Sequence, residues 1–381
     1  MRAIILIEHD AKTLAHRYGL KIPDGVLISA LAPQAPPFPP PWIVKAQVTA
    51  GGRGKSGGIR KVTDRDDLAD TMASIANLKI AGFPVHDVRI EQAIDAAQEV
   101  YLGLVMDAAS GKVAVMASEH GGVDVEDQGG AMIRRDADLD DDALTAALKE
   151  VAQSLPDRLH GIVAEAGAIL IALLLDLEAT MVEINPLFVL PDGSWIAGDL
   201  RLDLDLNALD RQPDLARLID MRPDTYVDAA FKARHGYDLV VTDQNGEIGL
   251  VATGAGLSMQ LIDEMTRLGL KPYNFCDIRS GMMRGDPTRL IENLQALEAA
   301  PNLRCVLINI FAGITELGEF AELLLRALEA GPRLDVPFVV RLVGNGQDRA
   351  DEILGASGRT DLLLERDLDR ALDRCREVCH D

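Results

Sequence analysis

The sequence predicts two α/β domains, residues 1–235 and 236–381, the second a doubly wound parallel sheet. Three observations carry that reading. The chain has 381 residues, too many for one ordinary core. Beyond Gly236, short apolar runs at 248–252, 273–276, 306–310, 338–342 and 362–364 alternate with helical patterns. Those helices start near Leu257, Thr288, Leu317, Gln347 and Leu368, and five βα units in succession favour a parallel sheet covered on both faces. Finally, 48% of residues are hydrophobic but only 4% aromatic, so Ala, Leu, Val and Ile must fill the cores, which suits helices packed on sheets.

The first half reads as follows. Residues 9–20 form a helix with Ala11, Leu14, Ala15 and Tyr18 on one face and Gly19 as its stop. Six prolines fall within residues 33–41, an extended loop; a ligand for a proline-binding partner is the weaker alternative. Residues 42–48 are a strand with Lys45 inside it, and the glycine-rich segment 51–58 leads into a strand-like 59–62. Short strands at 88–90, 100–106 and 113–117 follow, joined by turns such as Ser110–Gly111. Residues 143–155 and 161–175 read as helices, and 180–184 pairs with 195–197 around a turn at 191–193. No internal repeat is present.

Charge and composition exclude several function classes. A net charge of −22 repels nucleic-acid backbones and anionic lipid heads. An anionic substrate therefore needs local basic groups and backbone N–H donors. Cys276, Cys305, Cys375 and Cys379 form no C-x-x-C pair and lie near no histidine cluster, so buried reduced thiols in a cytoplasmic protein are expected. No secretory signal opens the chain, and the apolar run 168–175 is too short to span a bilayer.

Two motifs fail on inspection. Gly54–Lys55–Ser56 resembles the end of a P-loop, but the position five before Gly54 is Thr49. Gly254–Ala255–Gly256 begins a dinucleotide fingerprint whose last position is Met259, so Asp277, 21 residues beyond Gly256, does not rescue an NAD site. Phosphate handling makes better sense. A lysine inside an apolar strand is costly unless it serves something, and Lys45 reaching a polyphosphate serves; the alternative is a lysine snorkelling from an edge strand. Gly51, Gly52, Gly54, Gly57 and Gly58 offer backbone N–H groups, and Arg53 and Lys55 add charge. Glu183 and Asn185 alternate at a strand end, and Asp199 follows one hairpin later. The amide and the carboxylate of Asn185 and Asp199 are hard oxygen ligands for Mg²⁺. Further on, Thr253–Gly254–Ala255–Gly256 puts a helix N-terminus at the carboxyl end of a parallel strand, an anion site. The segment 309–315 forms its facing wall.

Taken together, these segments resemble the β subunit of succinyl-CoA synthetase and its relatives, from about residue 11 to 378. The motifs that carry the resemblance are WIVKAQVTAGGRGKSGG at 42–58, EVYLG at 99–103, VEINPL at 182–187, NALDRQPDL at 207–215, NIFAGI at 309–314 and VVRL at 339–342. The resemblance implies an N-terminal ATP-grasp domain followed by a flavodoxin-like CoA-ligase domain. It implies that Lys45, Arg53 and the Gly52–Gly54 backbone hold the phosphates of ATP or GTP, that Glu91 faces the base or ribose end, and that Glu99 lies beside them. Asn185 and Asp199 would bind Mg²⁺, with Glu183 orienting a transferring group. In such enzymes the γ-phosphate passes to a histidine of an α subunit, which also binds CoA; the phosphohistidine then activates a carboxylic acid. The seven histidines here (His9, His16, His86, His120, His160, His235, His380) all lie outside a Gly-His-Ala context and read as surface or loop residues, so an α partner is required.

The sequence departs from the family where the acid would bind. Thr253 stands where succinate enzymes usually have Asn, and residues 277–284, DIRSGMMR, replace a triple-glycine segment. The stretch 200–206, LRLDLDL, is poorer in glycine than the family pattern. With Thr253, Gly313, Ile314 and Thr315 lining the acid site, Arg279, Arg284 and Arg341 add guanidiniums that prefer bidentate anions. The expected acid is therefore larger or more anionic than succinate: hydroxylated, tricarboxylic or sulfonated. Rival readings are an ATP-grasp carboxylate–amine ligase, against which the five-strand second domain argues, and an inactive nucleotide-binding scaffold, against which the intact Lys45, Asn185 and Asp199 set argues.

Overall fold

The computed structural model describes residues 3–122 and 132–380. They form two compact units, Met1–Tyr226 and Val227–Asp381.

In the first unit the larger sheet is antiparallel. Its strand order is Ala3–Ile5, Leu200–Asp205, Ala179–Val189, Gln98–Asp107, Lys112–Ser118 and Ile133–Ala137, with Trp195–Ala197 also on Ala179–Val189. Helices Asp141–Gln153 and Asp157–Asp176 cover it. The apolar run expected at 168–175 is the tail of this second helix, whose 20 residues are long and apolar enough to cross a membrane. Leu159, Val163, Ala166, Leu170 and Leu174 instead face the protein. The expected pairing of 180–184 with 195–197 is corrected: 195–197 pairs with 187–189, and 181–184 pairs with the strand Leu200–Asp205. This places Asn185, at the irregularity within Ala179–Val189, beside Asp199, just before Leu200–Asp205, with the Asn185 amide donating to the Asp199 carbonyl at 3.2 Å.

A second antiparallel sheet runs Gly25–Ser29, Asp87–Gln92, Trp42–Gln47 and Ile59–Val62. Strand side chains alternate between faces. Trp42, Val44, Ala46, Val88 and Ile90 pack with Met72 and Ile75 of helix Leu68–Ala76. Lys45, Arg89 and Glu91 occupy the opposite face, with Lys45 and Arg89 in register. The alternation therefore gathers charge on one face of an otherwise apolar sheet.

In the second unit the strand order is Asn274–Asp277, Ile248–Ala252, Cys305–Ala312, Phe338–Gly344 and Leu362–Leu364, the flavodoxin-like 2-1-3-4-5 arrangement. The last four strands form a parallel ladder. The second in sequence joins it differently. The Asn274 carboxamide replaces a peptide group, accepting from the Leu250 amide at 2.8 Å and donating to the Leu250 carbonyl at 2.9 Å. Main-chain bonds flank it, Tyr273 N–H to Ile248 O at 2.8 Å and Ile278 N–H to Ala252 O at 2.9 Å. An antiparallel strand that the sequence reading missed, Asp238–Val241, covers the outer edge of Asn274–Asp277. Two apolar clusters lie on the faces, one containing Phe320 and Phe338, the other Leu261 and Leu372.

Candidate functional site

The charged face of the small sheet closes into one buried network. The Lys45 ammonium reaches Glu8 Oε1 at 2.7 Å, Glu91 Oε2 at 2.8 Å and the Gly198 carbonyl at 2.6 Å. Lys12 makes a parallel set, to Glu8 Oε1 at 2.7 Å, Glu91 Oε1 at 2.6 Å and Gly198 O at 2.8 Å. Arg53 bridges Glu8 Oε2 at 2.7 Å and both oxygens of Asp199 at 2.7 and 2.6 Å. Arg89 donates to Glu91 at 2.5 Å and lies 2.8 Å from His9 Nδ1. Gly198 presents its carbonyl to both ammoniums, and the Phe188 ring packs so closely that a Cβ there would lie 2.3 Å from it. Lys45 is only 6% exposed and sits in a paired interior strand, which excludes the snorkelling alternative.

Burial raises the cost of every charge in this network, and the neighbours decide the outcome. Burial pushes the Glu8 carboxyl up, but Lys12, Lys45 and Arg53 overcome it and hold Glu8 well below the usual carboxylate range. Glu91 is lowered in the same way by Lys12 and Lys45. Asp199 is raised because its burial outweighs Arg53. Burial lowers Lys12, whereas Glu8 and Glu91 more than offset the burial of Lys45 and raise it. The network thus holds four basic groups, Lys12, Lys45, Arg53 and Arg89, against three carboxylates, Glu8, Glu91 and Asp199, an excess of one.

The amides of the glycine-rich loop fall into two sets. The amides of Ser56, Gly57 and Gly58 close the turn on the carbonyls of Gly52, Gly54 and Arg53, which leaves the amides of Gly52, Arg53 and Gly54 outside it. Gly58 is a packing residue instead, since a Cβ there would lie 2.7 Å from Ile80. Asn185 Oδ1 accepts from the Gly122 amide at 2.6 Å, so its carboxamide is paired, as is Asp199 with Arg53. Their chemistry, one amide oxygen and one carboxylate on residues joined by a main-chain hydrogen bond, suits a hard divalent cation that takes its remaining ligands from phosphates and water. Glu99 lies beside Gly122, outside the network. Glu183 accepts from the Tyr101 hydroxyl at 2.9 Å, and burial raises its carboxyl.

In the second unit the strand ends bring three hydroxyls together. Ser280 Oγ lies 3.3 Å from Thr253 Oγ1 and 3.3 Å from Thr315 Oγ1, and the Ser280 amide donates to Thr253 at 3.2 Å. Gly254 caps the helix Ala255–Arg267, and its amide donates to Asp277 Oδ1 at 2.8 Å. Gly313 and Ile314 follow the third strand, with Ile314 fully exposed. The arginines diverge. Arg279, in the left-handed region at φ 51°, turns to Asp238 at 3.5 Å. Arg341 donates to Asn309 Oδ1 and to the Arg366 carbonyl, both at 3.0 Å. Arg284 is exposed.

Sequence reasoning missed Glu8, Lys12, Arg89 and Ser280. A signal for the first two exists: Glu8, Ala11, Lys12 and Ala15 form one i, i+3, i+4, i+7 stripe, so the pair lies inside the apolar face of its helix. Two histidines are also corrected. His9 is half-buried in a helix against Arg89, and His235 is 16% exposed at 2.8 Å from Glu292, so neither is a surface loop residue. All four cysteines are free and buried.

A model of the ATP-grasp domain matches residues 5–189, and one of the CoA-ligase domain matches residues 251–369. The β subunit of a GDP-forming succinate–CoA ligase from Thermus thermophilus is 34% identical over 359 residues, 92% of this chain and 93% of that protein. A probable malate–CoA ligase β subunit from Mesorhizobium japonicum is 31% identical over 379 residues, 94% of this chain and 93% of that protein. Among solved structures, ATP citrate lyase from Methanothrix soehngenii, in complex with citrate and coenzyme A, superposes with a TM-score of 0.71 at 16% identity. The match covers 99% of this chain and 100% of the other, a likeness of fold. The chain therefore belongs to the ATP-grasp and CoA-ligase family of succinate–CoA ligase β subunits, acid–thiol ligases that form ADP or GDP.

Proposed function

We propose that this chain binds ATP or GTP with Mg²⁺ and works with an α subunit. Together they convert a carboxylic acid and CoA into an acyl-CoA, releasing nucleoside diphosphate and phosphate. The observation that supports this reading is the meeting of Lys45, Arg53, Glu91 and Asp199, from distant parts of the sequence, in one cation-rich network. In this reading Lys45, Arg53 and the Gly52–Gly54 amides take the phosphates, stabilising charge that builds on the transferring group. Asn185 and Asp199 hold Mg²⁺, which neutralises phosphate oxygens when bound. Glu91 and Glu99 border the nucleotide. Glu183, whose carboxyl burial raises, orients the group leaving for the α subunit's histidine. Thr253, Gly313, Ile314 and Thr315 receive the acid, with Arg279 and Arg341 favouring a dicarboxylate, tricarboxylate or sulfonate. The relatives include a succinate–CoA ligase and a probable malate–CoA ligase, which supports a dicarboxylate class. Four buried free thiols suit the cytoplasm.

The test is labelling of the α histidine by γ-labelled ATP in the two-chain complex, followed by release of label on adding acid and CoA. Asp199→Asn abolishes labelling in this reading while leaving the fold intact, because the residue's work is electrostatic. Near wild-type labelling would return Asp199 to a purely structural partner of Arg53. CoA-independent amide formation by the isolated chain would defeat the whole reading.

A further inference from the structure

The donors of Lys45 are fully committed. An ammonium has three N–H groups, and those of Lys45 go to Glu8, Glu91 and the Gly198 carbonyl. Lys45 therefore cannot take a phosphate oxygen without giving up a partner. We propose that Glu8 is the partner exchanged, so that its carboxylate competes with the nucleotide phosphates and sets how tightly they bind. This inference rests on Lys45 and Arg53 being the phosphate-binding cations.

Geometry selects Glu8 over the other two partners. Its Oε1 meets Lys45 and its Oε2 meets Arg53, each at 2.7 Å, so one carboxylate spans the two cations as a pair of phosphate oxygens would. Glu91 is tied more firmly on its own strand, because Arg89 holds it from two residues away at 2.5 Å and Lys12 at 2.6 Å. The Gly198 carbonyl is fixed in the main chain. Glu8 also has a neighbour ready to keep it after release: Lys12, one turn on in the same helix, already donates to Oε1 at 2.7 Å. The carboxylate can thus leave Lys45 and Arg53 without becoming an unpaired buried charge. Return of Glu8 to both cations would in turn help expel the diphosphate, which makes Glu8 a positioning residue for nucleotide exchange.

The test is calorimetric titration of the two-chain complex with ATP and, separately, with inorganic tripolyphosphate, which lacks a base. Glu8→Gln keeps the shape and removes the competing charge, so both ligands should bind about tenfold tighter, the scale of one charge-assisted contact. In turnover the nucleotide KM should fall together with kcat, because release slows. A merely structural Glu8 would give the opposite sign, with weaker binding and a raised KM. Lys45→Met is the control. If it weakens ATP while Glu8→Gln leaves binding unchanged or weaker, the exchange proposal is overturned and the phosphate reading stands. If Lys45→Met leaves ATP untouched, the phosphate reading itself has failed. Should Glu8→Gln not fold, Glu8→Asp supplies the same measurement. Its shorter reach should tighten both ligands about threefold, a fraction of that contact, and unchanged or weaker binding overturns the proposal.

Discussion

Lys12→Met is the sharpest stability test of the buried network. The substitution keeps an unbranched stem of similar length and removes only the ammonium. Three contacts disappear, to Glu8 at 2.7 Å, Glu91 at 2.6 Å and the Gly198 carbonyl at 2.8 Å, at a side chain with no solvent exposure. Breaking a buried pair by removing one partner costs about 3–5 kcal/mol, because the other charge stays buried. Here Lys45, Arg53 and Arg89 still face the two carboxylates, so the low end applies, about 3 kcal/mol. In a unit of this size that lowers Tm by about 6–12 °C. The assay is urea denaturation of the complex followed by intrinsic fluorescence, since Trp42 lies in the core of the same small sheet. Adding Glu8→Gln on top removes the carboxylate that lost its partner and restores the network's original excess of one cation, so the double variant should lose less than the sum of the singles by about 1–3 kcal/mol, the coupling expected of groups in contact. A single-variant loss under about 1 kcal/mol, or strict additivity, would show that the network is worth no more than a surface pair.

Other perturbations probe separate parts of the fold and site. Asn274→Leu strands the Leu250 N–H and C=O in the core and should cost about 2–4 kcal/mol by chemical denaturation, whereas a neutral result would remove the peptide-mimic role. His9 is lowered to about 4 by burial and by Arg89, against an ordinary value of 6.5. Its contribution is therefore present above pH 6.5 and lost as pH falls towards 4, and His9→Gln should flatten the stability profile across that window. Arg279→Gly should raise KM for the true acid about ten- to a hundredfold without lowering Tm, since glycine relieves the backbone at φ 51°. An unchanged KM in a broad acid screen that succinate wins would end the case for a more anionic substrate.

The second unit was the more legible half, and the reason is periodicity. Its apolar runs are buried on both faces and its helices start after clear breaks, so each βα unit announces itself without knowledge of its neighbours. The strand that escaped, Asp238–Val241, lies at an edge. The run at 273–276 was read as a strand, but its attachment to Leu250 through the Asn274 side chain was not legible. In the first unit the strands Ala3–Ile5, Gly25–Ser29, Ile133–Ala137 and Leu200–Asp205 were not read from the sequence, and one partner was misassigned, because a turn at 191–193 says where the chain reverses and not which residues lie opposite. The extra length of Ala179–Val189 carried the hairpin pairing past 187 and left 181–184 to Leu200–Asp205.

The site divides along the same line. Lys45 and the glycine loop were legible because each breaks a local rule, a charge in an apolar strand and a segment dense in glycine. Glu8 and Lys12 break no local rule: an i, i+4 acid–base pair in a first helix is ordinary on a surface. What makes them functional candidates is long-range, since Lys45, Glu91 and the Gly198 carbonyl arrive from other strands to meet them. The burial of Ala11 and Ala15 on either side of Lys12 was the one local hint, because it places the ammonium on the inward face. A buried ammonium demands acceptors, and the only way to satisfy it is the network that now surrounds it. The same requirement extends to Ser280. Three hydroxyls in a row carry three protons but share only two mutual hydrogen bonds, so one O–H remains to donate outward at the strand ends. That outward donor comes from residues 253, 280 and 315, three segments that no sequence window contains together.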